Sequence, residues 1–249
     1  MKILVVGGSH GIGSEFVKRA LALGHTVTVF SRNPAQLSIE HANLRLHPGN
    51  VLDASSVKQA VRGQQAIICA LGLPTRIAIG PPFAKRSYVL SGGTSNILQA
   101  MTTEGVKRFM CVTAIGTADS ASQCTLFARV SLRVGLRWLF KEKDRQEELI
   151  KASGLDWTII RPTALTNGIE RGDKETKVGE KLRSGILTQV SRADVAATML
   201  GMLDKPKSYK KAYVISYKAR LGDSVRWPAT MVMARNRDIT LEGPTKTLF

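Results

Sequence analysis

The chain has 249 residues, a length that suits one domain with a full core or one domain plus an appendage, and its 43% hydrophobic content is ordinary for a globular protein. Lys and Arg number 36 against 19 Asp and Glu, a net charge of +17, which favours anionic ligands or surfaces without choosing among them. No apolar run approaches the roughly 18 residues a membrane-crossing helix needs.

The N-terminus "MKILVVGG" carries no cleavable leader pattern and begins a strand at once. Short β-branched runs then recur: "KILVV" (2–6), "TVTVF" (26–30), "LRLH" (44–47), "AIICAL" (66–71), "RFMCVT" (108–113), "WTIIRP" (157–162) and "AYVIS" (212–216). Between the early runs lie helically spaced apolar sets. Val17, Ala20 and Leu21 precede Gly24; Val57, Ala60 and Val61 precede Gly63; Ile97, Leu98 and Met101 precede Gly105. Continuous apolar strands alternating with helices predict a parallel sheet covered on both faces, an α/β doubly wound fold. Two parts break the rhythm. Residues 165–189 are polar and Gly-rich and read as a substrate-side loop or small hairpin, and 218–249 form a C-terminal extension with no assigned role. The "MVMA" run (231–234) has no assignment.

"VVGGSHGIG" lies between the first strand and the first helix. Gly7 suits the tight turn, Gly11 lets a pyrophosphate approach the backbone, and Gly13 lets helix and sheet pack closely. The open N–H groups and positive end of the helix then hold the phosphates of a dinucleotide. At the end of the second strand NAD-binding proteins place an acid for the ribose hydroxyls. Here Ser31 and Arg32 stand instead, with no carboxylate until Glu40, which favours the 2′-phosphate of NADP(H).

With "GGSHGIG", "SRNP", "GNVLDASSVKQAV", "GQQAIICALG", "GTSNILQAM", "KDRQEELIKASGLDWTIIRP" and "SRADVAATML" in this order, the sequence resembles the atypical short-chain dehydrogenase/reductase proteins. This NAD(P)H-binding group includes biliverdin-IXβ reductase, also a flavin reductase. The likeness implies a Rossmann-like NAD(P)-binding domain over 1–217. It implies that Ser9, His10, Gly11 and Ile12 cradle the pyrophosphate and Arg32 the 2′-phosphate. It places Asn50 and Val51 at adenine, though relatives commonly carry aspartate at position 50. Leu71 and Gly72 would run along the cofactor, Thr113 would face the nicotinamide, and Pro162, Thr163 and Ala164 would line its far side. Gly7, Ser31, Asn50, Gly72, Thr113 and Pro162 all follow strand ends, the edge where ligands collect in an open parallel sheet.

The short-chain family keeps a tyrosine one turn before a lysine, so that both share a helix face. In "WLFKEKDRQEE" (138–148) Lys143 is present, but position 139 is leucine. Tyrosine-dependent ketone reduction is therefore not expected. Tyr88 and Tyr209 match no catalytic position. Lys143 and Thr113 are the candidate catalytic residues, Lys143 for ribose or phosphate; the alternatives are a solvated helix lysine and a threonine bonded to backbone. Flavins, quinones and linear tetrapyrroles delocalise incoming charge and take protons from water, so a stacked geometry suffices for them. The expected activity is NADPH-dependent reduction of such an acceptor. The alternative is a non-catalytic NADP(H)-binding sensor or assembly protein.

Arg129, Arg133, Arg137, Lys141 and Arg145 recur every fourth residue beside Leu132, Leu136 and Phe140. This basic ridge is either a solvated face or a dock for an acidic protein, an anionic membrane surface or an anionic substrate such as a flavin nucleotide. Without interleaved aromatics or a reading motif it argues against nucleic acid. "SRADV" (191–195) reads as a capping box, with Ser191 three residues before Asp194. His10 could donate to phosphate, while His25, His41 and His47 lack metal-ligand spacing. Cys69, Cys111 and Cys124 read as buried thiols in a reducing, cytoplasmic compartment, with no metal site.

Overall fold

The computed structural model describes residues 1–73, 88–125, 136–182 and 188–217, all within one compact unit, Met1–Lys218. The first six strands are β1 (Lys2–Val6), β2 (Thr26–Ser31), β3 (Leu44–Pro48), β4 (Ala66–Cys69), β5 (Arg108–Val112) and β6 (Asp156–Pro162). Three short strands follow, β7 (Ala164–Thr166), β8 (Thr176–Gly179) and β9 (Gln189–Ser191), then β10 (Lys211–Tyr217). The helices are α1 (Gly11–Ala22), α2 (Ala54–Val61), α3 (Val89–Glu104), α4 (Arg137–Ala152) and α5 (Arg192–Met202).

The main sheet runs β3-β2-β1-β4-β5-β6-β10-β8, parallel throughout except that β8 is antiparallel to β10. Strand order reverses between β1 and β4, which opens a crevice at the carboxyl ends of those strands. Side chains along β1 alternate between two cores. Ile3 and Val5 join Phe16 and Val17 of α1 and Val195 and Met199 of α5. Leu4 and Val6 join Val57 of α2, Ile97 and Met101 of α3 and Ile150 of α4. Burial on both faces is why the central strands β1 and β4 read as unbroken apolar runs.

Residues 165–189, expected to form a loop or small hairpin, instead contribute to the sheets. Their described part supplies β8, which pairs with β10 as the sheet's eighth strand, and β7 pairs in parallel with β9. Strand β8 was hidden because it is an edge: Lys177 and Val178 are exposed, and charged edges resist further pairing. The 218–249 extension, Arg129 and Arg133, and the "MVMA" run lie outside the described residues.

Candidate functional site

The glycine loop sits at the crevice. Gly7 has φ +80°, and a Cβ there would lie 2.8 Å from the Ala70 carbonyl oxygen. At Gly13 a Cβ would meet the Gly7 carbonyl at 2.3 Å, so only glycine lets α1 begin this close to β1. His10, the N-cap of α1, gives no side-chain cap, and no acid occupies the first turn. Its Nδ1 instead pairs with Ser9 Oγ at 3.0 Å. The first N–H groups of α1, from Gly11, Ile12 and Gly13, therefore face the crevice without intrahelical acceptors. Such an end favours an anion.

The end of β2 holds a second fit to a phosphorylated ligand. Ser31 Oγ is buried with no hydrogen-bond partner among the described residues. Arg32 beside it is exposed and forms no ion pair with a described carboxylate. Asn50 uses its Oδ1 to accept the Leu52 N–H at 3.1 Å, shaping the loop after β3. Val51 is buried against Gly93, and its carbonyl accepts from Asn96 at 3.0 Å. Leu71 is half-buried and Gly72 exposed beyond β4.

The helix expected to carry the acid–base pair turns a polar face inward. Phe140, Glu142, Lys143, Gln146, Glu147 and Ile150 of α4 are all buried. Lys143 is 7% exposed, so the solvated-lysine alternative does not hold. Burial pulls its ammonium below the ordinary lysine value, opposed by Cys111, Cys69 and Glu147. It forms no hydrogen bond to another described residue. Gln146 donates to Thr94 Oγ1 at 2.9 Å, while its Oε1 has no partner among the described residues. Glu142 accepts from the Ser91 N–H and hydroxyl.

Glu147 anchors the loop after β5. It accepts from Thr113 Oγ1 at 2.7 Å, Thr117 Oγ1 at 2.7 Å and Arg161 Nε at 3.0 Å. Arg161, itself without exposure, reaches on to Asp119 at 2.7 Å. Lys151 also meets Asp119 at 2.7 Å. Hydrogen bonds from Arg161, then from Lys151, hold the Asp119 carboxyl well below the usual range against the cost of desolvation. The Thr113 hydroxyl thus donates to a buried carboxylate, where a backbone bond or a nicotinamide contact was expected. Across the same edge, Thr163 Oγ1 is buried without a partner among the described residues, beside Pro162 (buried) and Ala164 (exposed).

Two features escaped the sequence reading. Tyr88, half-exposed at the N-cap of α3, meets Trp138 in the first turn of α4 edge-on, with ring centroids 5.3 Å apart. Both helices start at the carboxyl edge of the sheet, so this pair stands on the ligand side. Arg192, the first residue of α5, lies against the start of α1, and its Nη1 donates to Asn167 Oδ1 at 2.7 Å. Gly11, Ser14, Asn167, Gly168 and Arg192 help line a cavity of about 530 Å³. A cation in the opening turn of a helix opposes the macrodipole, a sign that could have marked Arg192. The Tyr88–Trp138 pair had no such sign, because its members are far apart in the chain.

The capping box forms, with Ser191 Oγ accepting from the Asp194 N–H at 2.9 Å. Asp194 does more: it also accepts from the Arg171 and Gly172 N–H groups and the Tyr217 hydroxyl, pinning the segment that follows β7. Arg137, Lys141 and Arg145 are exposed on the outer face of α4. Among the described residues no group of His, Cys, Asp and Glu could hold a metal, and no helix is long and apolar enough to cross a membrane.

A family model described as NAD(P)H-binding matches residues 7–206, most of the chain. YhfK of Bacillus subtilis (strain 168), described as an uncharacterized sugar epimerase, is 26% identical over 216 residues, covering 86% of this chain and 92% of that protein. Among solved structures, ChuY of Escherichia coli O157:H7, described as an anaerobillin reductase, superposes with a TM-score of 0.67 at 23% identity, over 86% of this chain and 96% of that one. A wide-type short-chain dehydrogenase/reductase of Veillonella parvula DSM 2008 in complex with NADP gives a TM-score of 0.71 at 16% identity, over 86% of this chain and 93% of that one. At these identities the structural likeness is one of fold.

Proposed function

The chain belongs to the NAD(P)H-binding family, and on that footing we propose that it is an NADPH-dependent reductase of a planar conjugated acceptor, a flavin, quinone or linear tetrapyrrole such as biliverdin, working without a catalytic tyrosine. The observation that carries this reading is the Tyr88–Trp138 pair on the ligand edge, whose Trp138 lies on the helix where Leu139 replaces the family's acid. An exposed aromatic edge favours a flat π-system over a small ketone.

The residues divide the work. Gly7, Ser9, Gly11, Ile12 and Gly13 would hold the diphosphate with backbone N–H groups, and His10 could donate as well. Ser31 and Arg32 would hold the 2′-phosphate, which supports NADPH over NADH. Asn50, Val51, Leu71 and Gly72 would border the adenosine half. Lys143, desolvated and without a described hydrogen-bond partner, would donate to ribose hydroxyls. Thr113 positions the floor through Glu147, and the unsatisfied Thr163 hydroxyl, with Pro162 and Ala164, would face the nicotinamide side. When bound, the cofactor supplies a hydride, two electrons with one proton; a conjugated acceptor spreads that charge and takes its second proton from water. A saturated ketone would instead build an alkoxide with no phenol to protonate it.

Steady-state NADPH oxidation with FMN, a quinone and biliverdin tests this. Turnover with at least one acceptor is expected. Tyr88→Phe should retain it, whereas Tyr88→Ala should raise the acceptor KM by about 2- to 10-fold, the worth of one aromatic contact. Saturable NADPH binding with no turnover on any acceptor would replace the reductase reading with the sensor or assembly role.

A further inference from the structure

Arg192 is a desolvated cation with no anion of its own among the described residues. Its stem crosses the glycine loop: a Cβ built on Gly11 would touch Arg192 Cδ and Nε at 3.6 Å. Its one hydrogen bond among the described residues goes to the neutral Asn167 amide oxygen at 2.7 Å, which leaves the other guanidinium donors open. Burial lowers its guanidinium below the ordinary arginine value, and no carboxylate opposes that shift. The acids lining the same cavity are engaged elsewhere. Glu15 pairs with Arg19 at 2.7 Å and Glu170 pairs with Arg19 at 2.6 Å. A half-buried guanidinium without a counter-charge is costly unless an anion arrives. The nearest anion-seeking feature is the open N-terminus of α1, where Gly11 is the first residue.

We propose that Arg192, aimed by Asn167, clamps the dinucleotide's diphosphate where its side chain crosses the glycine loop. This rests on the NAD(P)H reading of that loop and adds a side-chain ligand to it. The glycine loop supplies backbone dipoles; Arg192 supplies a full positive charge at that position, in a fork that matches two phosphate oxygens. It acts on the diphosphate, common to both cofactors, and so differs from Arg32, which acts on the 2′-phosphate. Asn167 belongs to the segment that Asp194 pins through the Arg171 and Gly172 N–H groups, so the clamp is held by fixed backbone.

Calorimetric titration of the full chain with NADPH, ADP-ribose and 2′-AMP separates the roles. ADP-ribose carries the diphosphate without the 2′-phosphate; 2′-AMP carries the reverse. Arg192→Gln should weaken NADPH and ADP-ribose alike by about tenfold or more and leave 2′-AMP within about twofold. Asn167→Ala, a change at an exposed position, should weaken ADP-ribose about threefold and leave 2′-AMP unaltered, because the guanidinium stays but loses its aim. The clamp is refuted if ADP-ribose binding is unchanged in either variant, or if 2′-AMP weakens as much as ADP-ribose. Wild-type binding of all three ligands with an indifferent Arg192→Gln removes only the clamp; a wild type that binds none removes the cofactor reading with it.

Discussion

Arg32→Ala isolates the choice between the two nicotinamide cofactors. Arg32 is exposed and pairs with no described carboxylate, so its removal breaks no ion pair within the described fold. The substitution deletes a charge-assisted bond to a phosphate, worth about 1.5–3 kcal/mol in general. Exposure and salt screening place it at the low end, about 1.5 kcal/mol, or roughly tenfold in Kd. The long-range field cannot produce this effect. Of a net charge of +17, the alanine variant gives up a single unit, a small change felt by NADPH and NADH together. Titration in about 0.15 M salt, by the quench of protein fluorescence or by calorimetry, should show NADPH weakened about tenfold with NADH within about twofold. Equal losses for the two cofactors, or none, would refute the assignment of the 2′-phosphate to Arg32 and leave the buried Ser31 hydroxyl without its explanation.

The network under the site gives two further expectations. Glu147→Gln leaves Arg161 buried with only the exposed Asp119 as counter-charge; breaking such a pair costs about 3–5 kcal/mol, a melting point lower by roughly 6–20 °C for a chain of this size. A calorimetric scan showing a drop under about 3 °C would contradict the pairing. Asp119 also makes a pH prediction. Its folded pKa is depressed, so its contribution is complete above the unfolded value near 3.9 and fades as pH falls toward the folded one. The stability gap between wild type and Asp119→Asn should be constant above about pH 5 and shrink on acidification; a gap that stays level down to about pH 2 would rule the linkage out.

The strands were readable because a parallel sheet buries both faces, so "KILVV" and "AIICAL" show no alternation to obscure them. The glycines were readable for a related reason: the crowding at Gly7 and Gly13 is between backbone atoms, and only one residue type tolerates it. Strands β7, β8 and β9 were not, because three or four residues on an edge or in a two-stranded patch bury too little to leave a hydrophobic signature.

The polar parts of the site follow a different logic. Glu147 and Arg161 are 14 positions apart, and Arg161 and Asp119 are 42 apart; no local pattern reports such pairs. Yet α4 held a usable sign. Phe140, Lys143, Glu147 and Ile150 fall on one face at helical spacing, and both ends of that set are apolar core. Two charged residues inside a stripe that must be buried contradict an ordinary amphipathic helix. They are tolerated only where partners or a ligand compensate them. Glu147 has its partners in Thr113, Thr117 and Arg161; Lys143 has no hydrogen bond to a described residue. Lys143 is therefore the charged group on this face whose donors the described residues leave open, and the asymmetry between these neighbours separates a residue that supports the site from one available to a ligand.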